Sequence, residues 1–115
     1  MINVISSSRY KINRRIIKHE AGIYLGKKGR SLTGVVNIVF VGKNKMKTVA
    51  TTYKNESVAL PVLSFKYDDV SSPSGLLAEI IICYPQAVLL AAERGKRVDD
   101  MINNLIKHAV NTLDL

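Results

Sequence analysis

One apolar run constrains the fold of this chain more than any other feature. From Val35 to Val41 the sequence VVNIVFV is β-branched or aromatic at every position but one, and Gly42 closes the run. A short run of this composition is typical of a β-strand that is buried on both faces. We therefore expect a β-sheet that is covered by helices.

Helical periodicity in other segments supplies those helices. Between Lys43 and Lys54 the apolar residues recur at i, i+3, i+4 and i+7, namely Met46, Val49, Ala50 and Tyr53. Pro85 suits the first turn of a further helix, which ends at Gly95. A last helix is predicted from its apolar stripe, which comprises Val98, Met101, Ile102, Leu105, Ala109 and Leu113.

The first helix is predicted over residues 9–25, with Ser6, Ser7 and Ser8 as candidate N-caps. Three further short runs, at 2–5, 62–67 and 78–84, are predicted strands, and a turn-rich segment separates the last two. The predicted order is β-α-β-α-β-β-α-α. We expect a single α/β (α+β) domain over residues 1–115, with a mixed sheet of about four strands.

Positive charge is concentrated in the first half of the chain. Residues 1–56 hold twelve Lys and Arg against two acids, whereas residues 57–115 hold five against seven. This asymmetry favours a nucleic-acid partner, with an anionic membrane surface or mere solubility as the alternatives. The predicted RNA-contacting residues are Arg9, Lys11, Arg14, Arg15, Lys18, Lys27, Lys28, Arg30 and Lys54.

Several classes of site are excluded by what the sequence lacks. The glycines between Gly26 and Gly29 follow a helix and do not form a Walker pattern, and Ser64 has no GxSxG context. Cys83 is the only cysteine, so one chain can form neither a disulfide nor a cysteine-rich zinc site. Because there is no signal-like start and no membrane-length apolar run, we expect a cytoplasmic protein.

The two histidines do not form a metal motif by spacing. His19 lies on the basic first helix and is predicted to be a surface residue. His108 lies off the apolar stripe of the last helix, and the residue one turn later is Thr112, a poor zinc ligand. From spacing alone, His108 is predicted to be non-catalytic.

Five blocks of sequence then follow one another between Val36 and Leu113. They are NIVFVG at 37–42, the helical segment 46–54, VLSF at 62–65, LAEIII at 77–82 and LIKH at 105–108. In this order they resemble the YbeY-type endoribonucleases, a bacterial family of ribosomal RNA maturation. The corresponding family motifs are a central strand, an "LN..YR" helix, "TDVLSF", "LGEI" and the metal helix "LxxHGxLHLxGYDH".

The chain departs from that family pattern at several positions. Lys54 stands where relatives have arginine, and lysine cannot make arginine's bidentate fork to a phosphate. Thr112 stands at the second of three metal histidines, and the sequence ends at Leu115, before the third. The other changes are Leu60-Pro61 in place of Thr-Asp, and Ala78 and Ala109 in place of glycines.

The resemblance implies zinc as the cofactor, bound by three ligands of which this chain retains His108 as a residual one. It also implies that Lys54 binds a phosphate near the cleavage point. Glu79 interrupts an apolar strand, so it is either a strand-end surface residue or a carboxylate that faces a cleft. The candidate catalytic residues are therefore Lys54 and Glu79, and zinc is expected to be doubtful in this chain.

Three hypotheses for the function follow. The first is a YbeY-like protein that acts on ribosomal RNA at the small ribosomal subunit. If its degenerate metal site retains any hydrolytic activity, the resemblance implies metal-dependent endonucleolytic cleavage of single-stranded RNA. The second is a noncatalytic RNA-binding or ribosome-associated protein on the same fold, and the third is a protein–protein adaptor. The chain is either a diverged or truncated relative or an incomplete sequence, and Thr112 and Leu60-Pro61 favour divergence. The oligomeric state is not predicted.

Overall fold

A computed structural model of the chain describes residues 1–28, 34–55, 58–67 and 75–113. Its elements follow one another in the predicted order, so the α/β (α+β) fold class is confirmed. The strands are β1 (Ile2–Ile5), β2 (Val35–Val41), β3 (Val62–Lys66) and β4 (Leu76–Cys83). The helices are α1 (Arg14–Gly26), α2 (Lys43–Lys54), α3 (Tyr84–Glu93) and α4 (Val98–Thr112).

The four strands form one mixed sheet in the order β1-β2-β4-β3. β1, β2 and β4 are parallel to one another, and β3 is antiparallel to β4. The parallel pairs require crossover connections, in which α1 and α2 lie. Within the described residues, β3 lies at one edge of the sheet and pairs with β4 alone.

One face of the sheet forms the main hydrophobic core. Val36, Ile38 and Phe40 of β2 point to this face, as do Ile80 and Ile82 of β4, and all five are at most 4% exposed. Helices α1, α3 and α4 pack on this face, which we call the covered face.

Helix α4 lies at the centre of that core. It contacts α1, α3, β3 and β4, so a wide stripe of its surface is buried. Ile106 and Val110 belong to this stripe in addition to the predicted residues, and both are fully buried. The stripe is wider than the sequence period suggested because neighbours contact α4 on several sides.

The opposite face of the sheet is covered less completely, and we call it the open face. In the described part of the chain, α2 packs here, with Met46, Val49 and Ala50 against Leu63 and Cys83. The residues of β2 on this face are only half-buried. The prediction that this strand is buried on both faces is therefore wrong, because one short helix covers only part of a four-stranded sheet.

Helix α1 begins five residues later than the sequence predicted. Its N-cap is Asn13, whose side-chain oxygen accepts a hydrogen bond from the backbone N–H of Ile16 at 3.1 Å. Ser7 instead stabilises a turn, since its hydroxyl accepts from the backbone N–H of Arg9 at 3.2 Å and its carbonyl from that of Tyr10. The serine N-cap prediction is wrong because this turn uses the local backbone donors.

No helix in the described residues is both long enough and apolar enough to cross a membrane.

Candidate functional site

A cleft of about 440 Å³ lies between the C-terminal half of α4 and the edge strand β3, and we call it the histidine cleft. The apolar stripe of α4 is buried, which leaves His108 and Thr112 exposed, one turn apart on the same side of the helix. Two of the predicted site residues, Lys54 and His108, share this cleft. Its lining residues are Lys54, Val62, Leu63, Ser64, Lys66, His108, Ala109, Thr112 and Leu113.

A pair of hydroxyls closes one side of the histidine cleft. The Oγ1 of Thr112 donates to the backbone carbonyl of Ala109 at 2.8 Å and lies 3.1 Å from the Oγ of Ser64. A hydroxyl has one proton to donate, so Ser64 is the donor to Thr112. This contact joins α4 to the edge strand at the position where the family motif has its second metal histidine.

The side chains of the histidine cleft do not fit a zinc ion. A catalytic zinc needs three protein ligands, and this cleft offers one imidazole beside two hydroxyls that hydrogen-bond to each other. Across residues 1–28, 34–55, 58–67 and 75–113, no group of three His, Cys, Asp or Glu side chains could hold a metal ion. The buried thiol of Cys83 is no substitute, since burial raises its pKa and disfavours the thiolate.

A second cleft, of about 710 Å³, lies on the open face of the sheet beside the C-terminal half of α2. We call it the aromatic cleft, because Tyr53, Phe65 and Tyr67 line it. Lys54 ends α2 and borders both clefts, as do Ser64 and Lys66 of β3. The ammonium of Lys54 lies 5.9 Å from the centre of the Phe65 ring. The other residues that line the aromatic cleft are Val39, Val41, Lys45, Val49, Glu79 and Ile81.

Glu79 lies in the aromatic cleft and not beside His108. Successive residues of a strand point to opposite faces, so Glu79 faces the open side while Ala78 and Ile80 face α4. Of the two alternatives that the sequence left for Glu79, the structure gives the cleft-facing one. It does not bring Glu79 together with His108, the residual metal ligand that the resemblance implied.

The Glu79 carboxylate accepts a hydrogen bond from the Tyr67 hydroxyl at 2.7 Å. Burial, the hydrogen bond to Glu79 and the negative charge of Glu79 together raise the pKa of Tyr67 to about 12. The Tyr67 hydroxyl therefore stays protonated and donates to Glu79 throughout the neutral range.

The basic residues predicted to contact RNA lie mostly on α1 and on the segment before it. Arg30 lies outside the described residues. Seven other members of the group lie on α1 or on the segments next to it. None of these seven residues lines the histidine cleft or the aromatic cleft. Six of them are exposed, namely Arg9, Lys11, Arg14, Arg15, Lys18 and Lys27.

Two members of that group donate hydrogen bonds to backbone carbonyls within the fold. The guanidinium of Arg14 donates to the carbonyl of Val4 at 2.5 Å and to that of Ser6 at 3.1 Å, so it ties the start of α1 to the end of β1. The ammonium of Lys28 donates to the carbonyl of Asn111 at 3.4 Å and so ties the end of α1 to α4. Arg14 therefore has a structural role that the sequence did not predict.

Residues 5–113 match the family model described as endoribonuclease YbeY. The chain belongs to the YbeY endoribonuclease family. The match extends beyond the predicted resemblance, which began at Val36, and so the first helix belongs to the YbeY domain as well.

Curated relatives agree with this family. The chain is 34% identical over 77 residues to an endoribonuclease YbeY of Polynucleobacter asymbioticus, which covers 67% of this chain and 48% of the relative. It is 31% identical over 86 residues to an endoribonuclease YbeY of Pseudomonas savastanoi, which covers 73% of this chain and 52% of the relative. The chain thus spans about half the length of the curated relatives it matches.

A solved structure has the same fold. The solution structure of a structural-genomics target from Thermotoga maritima aligns with a TM-score of 0.63 at 17% identity, over 96% of this chain and 69% of the other. At this identity the likeness shows the fold alone. It agrees with the α+β arrangement of a mixed four-stranded sheet and helices.

Sequence reasoning missed the aromatic side of this YbeY fold. Phe65 and Tyr67 are two residues apart on one strand, so strand periodicity places them on one face. Lys45 and Tyr53 lie two turns apart on one side of α2. These two periodicities were the available signals. Neither indicates that this side of β3 and this side of α2 line the same cleft.

Proposed function

We propose that this chain binds single-stranded ribosomal RNA of the small subunit during its maturation, with the RNA backbone in the histidine cleft. The observation that carries the proposal is that Lys54 and His108, from α2 and α4, line one cleft beside the edge strand of a YbeY-family fold. The curated relatives are named endoribonucleases, which supports an RNA ligand for this chain.

Lys54 supplies the phosphate contact in this proposal. Its ammonium is exposed and borders both clefts, so a phosphate at the rim of β3 lies within its reach. A lysine acts as a point charge, and therefore binds a phosphate without the fixed orientation that an arginine fork imposes. This favours binding over the positioning that cleavage requires.

The exposed basic residues on and before α1 act at longer range. They line neither cleft, so in this proposal they raise the local concentration of RNA through the electrostatic field rather than by contacting the bound nucleotide. A cytoplasmic location goes with this proposal, because bacterial ribosomes mature there.

Metal-dependent endonucleolytic cleavage is the second candidate function. His108 favours it, because this imidazole is exposed, lies in the histidine cleft and occupies the position of the first metal histidine in the family motif. Among the described residues of the histidine cleft, His108 is the one side chain suited to bind zinc. Any cleavage that uses zinc therefore needs further ligands that do not come from these residues. The proposal therefore ranks RNA binding by this chain above hydrolysis.

Three variants of the full chain test the proposal against a labelled single-stranded oligoribonucleotide, by fluorescence anisotropy and gel analysis, with zinc and with a chelator. Lys54→Ala should weaken binding about five- to tenfold, which corresponds to one charge-assisted contact. His108→Ala should weaken binding less than Lys54→Ala does, and it should abolish any chelator-sensitive cleavage. His19→Ala, on α1, is the matched histidine control.

Unchanged affinity in Lys54→Ala would overturn the assignment of the histidine cleft as the RNA site. Chelator-sensitive cleavage that His108→Ala abolishes and His19→Ala retains would promote the second candidate. Cleavage that survives His108→Ala would show that it does not require His108 and would contradict the second candidate.

A further inference from the structure

The aromatic cleft has features that phosphate binding in the histidine cleft does not use. Tyr53 and Phe65 meet with their ring centres 5.3 Å apart and their planes at 69°, an edge-to-face pair. Tyr53 is nevertheless 67% exposed, although it lies at an apolar position of the α2 period. A large aromatic surface is thus held in place by Phe65 and left open to solvent.

The floor and the rim of the aromatic cleft differ in polarity. Val39 and Ile81 form an apolar floor on the open face of the sheet, whereas Lys45 and Lys54 lie at the α2 side. Glu79 is the one acidic group among the lining residues described for this cleft, and its carboxylate is already oriented by the Tyr67 hydroxyl. Cationic groups around an apolar and aromatic interior suit a ligand with a flat apolar face and attached negative charge.

We propose that the aromatic cleft binds one unpaired base of a single-stranded RNA, stacked on Tyr53, while the adjoining phosphate lies at Lys54. This inference rests on the proposed function, since both clefts would hold the same strand. The two clefts share a border, because Lys54, Ser64 and Lys66 line both of them. An RNA chain that crosses β3 at this border therefore passes from one cleft into the other. Bases stack on exposed aromatic side chains in many single-strand binding proteins.

Glu79 gives this base site a chemical preference. A carboxylate accepts hydrogen bonds at several lone pairs, and the Tyr67 hydroxyl uses only one of them. The remaining acceptors suit the exocyclic amino group of cytosine, adenine or guanine. Uracil has no amino group, and its one N–H donor lies between two carbonyl oxygens that a carboxylate repels. A protein segment is the other occupant that an apolar cleft can take, but the lysines beside the aromatic rings match the charge of RNA.

The test compares two ligands of equal length, a single-stranded oligocytidylate and an abasic ribose-phosphate strand, by fluorescence anisotropy with the full chain. Tyr53→Leu removes the stacking surface at an exposed position and should weaken oligocytidylate binding about tenfold. It should leave abasic binding within about twofold, since the phosphate contacts remain. Tyr24→Leu is the matched control, because Tyr24 lies on α1 with the ammonium of Lys107 at 5.9 Å from its ring.

A second variant, Glu79→Gln, tests the base preference. Wild type should bind oligocytidylate more tightly than oligouridylate, and Glu79→Gln should reduce that ratio at least about threefold. Circular dichroism and thermal unfolding of each variant confirm that the fold is retained.

Equal losses on the oligocytidylate and the abasic strand, or a loss in Tyr24→Leu as large as in Tyr53→Leu, would overturn the base site and leave the proposed RNA function standing. Tight binding to both ligands with no effect of Tyr53→Leu would do the same. Failure of the wild-type chain to bind either ligand would overturn the proposed function together with this inference.

Discussion

On β4, Ile80 and Ile82 point toward α1, α3 and α4 and are fully buried, whereas Glu79 and Ile81 on the same strand point to the open face and are half-buried. The covered face is apolar throughout its core and is held by three helices. In the part of the chain that the structure describes, the open face has one helix, a tyrosine–glutamate hydrogen bond and the exposed ring of Tyr53. The covered face therefore supplies most of the buried apolar surface of this domain, whereas the open face keeps a cleft that one helix of the described residues covers only in part.

The largest expected effect comes from removing matched side chains from the two faces. Ile80→Ala should lower the free energy of unfolding by about 2–5 kcal/mol, because it leaves a cavity in a site that cannot collapse. Ile81→Ala, next to it on β4, should cost about 1 kcal/mol, since its side chain is half-buried. Urea denaturation followed by circular dichroism measures both. Equal losses would break the distinction between the faces.

The next effect concerns how α1 is held on the covered face. Arg14→Ala should lower the free energy of unfolding by about 1–3 kcal/mol, because it removes the hydrogen bonds to the carbonyls of Val4 and Ser6. Arg15→Ala, at the neighbouring exposed position, should change it by less than about 0.5 kcal/mol. The same urea experiment applies, and a larger loss in Arg15→Ala would show that the contact made by Arg14 does not hold α1 in place.

The next comparison is between two lysines of α2, of which Lys45 lines the aromatic cleft and Lys47 lines neither cleft. Lys45→Glu should weaken the binding of single-stranded RNA by about tenfold and lower the slope of log K against log salt by about 1. Lys47→Glu makes the same change in charge outside both clefts, so a smaller loss is expected. Anisotropy titrations at several salt concentrations check this. Identical losses would mean that only net charge matters.

The smallest effect is a pH dependence that belongs to the open face. The pKa of Tyr67 is raised to about 12, while the unfolded chain has the ordinary value near 10. The unfolded state therefore releases this proton first, so the stabilisation is complete below about pH 10 and is lost as the pH rises toward 12. The chain has five tyrosines, whose ionisation is followed by the absorbance of tyrosinate as the pH is raised. The transition at the highest pH should be absent from Tyr67→Phe.

In Glu79→Gln that late transition should move partly back toward pH 10, because the negative charge is removed while the burial remains. A titration unaltered by both variants would contradict the assignment of the late tyrosine to the open face.

Local sequence determined much of the fold. β2 and α2 have the predicted bounds, because a β-branched run closed by glycine and a regular apolar period leave little choice. The start of α1 was missed because both Ser7 and Asn13 can accept hydrogen bonds from following backbone N–H groups, and only the tertiary position of the turn decides between them.

The candidate site was predictable in part. The resemblance identified Lys54 and His108 as site residues, and the structure brings them to one cleft. That Glu79 lies apart from His108 follows from which helix packs on which face, and no local pattern carries that information. Tyr53 fits the apolar period of α2 yet stays exposed, since α2 covers only part of the open face.

The central claim is that RNA binds on both sides of the edge strand β3. Chemical-shift mapping of the ¹⁵N-labelled chain with a single-stranded oligocytidylate tests it most directly. We expect the largest shifts on β3, on the last turn of α2 and on α4 around His108, with small shifts along α1. Shifts that are largest on α1 and absent from β3 would contradict it.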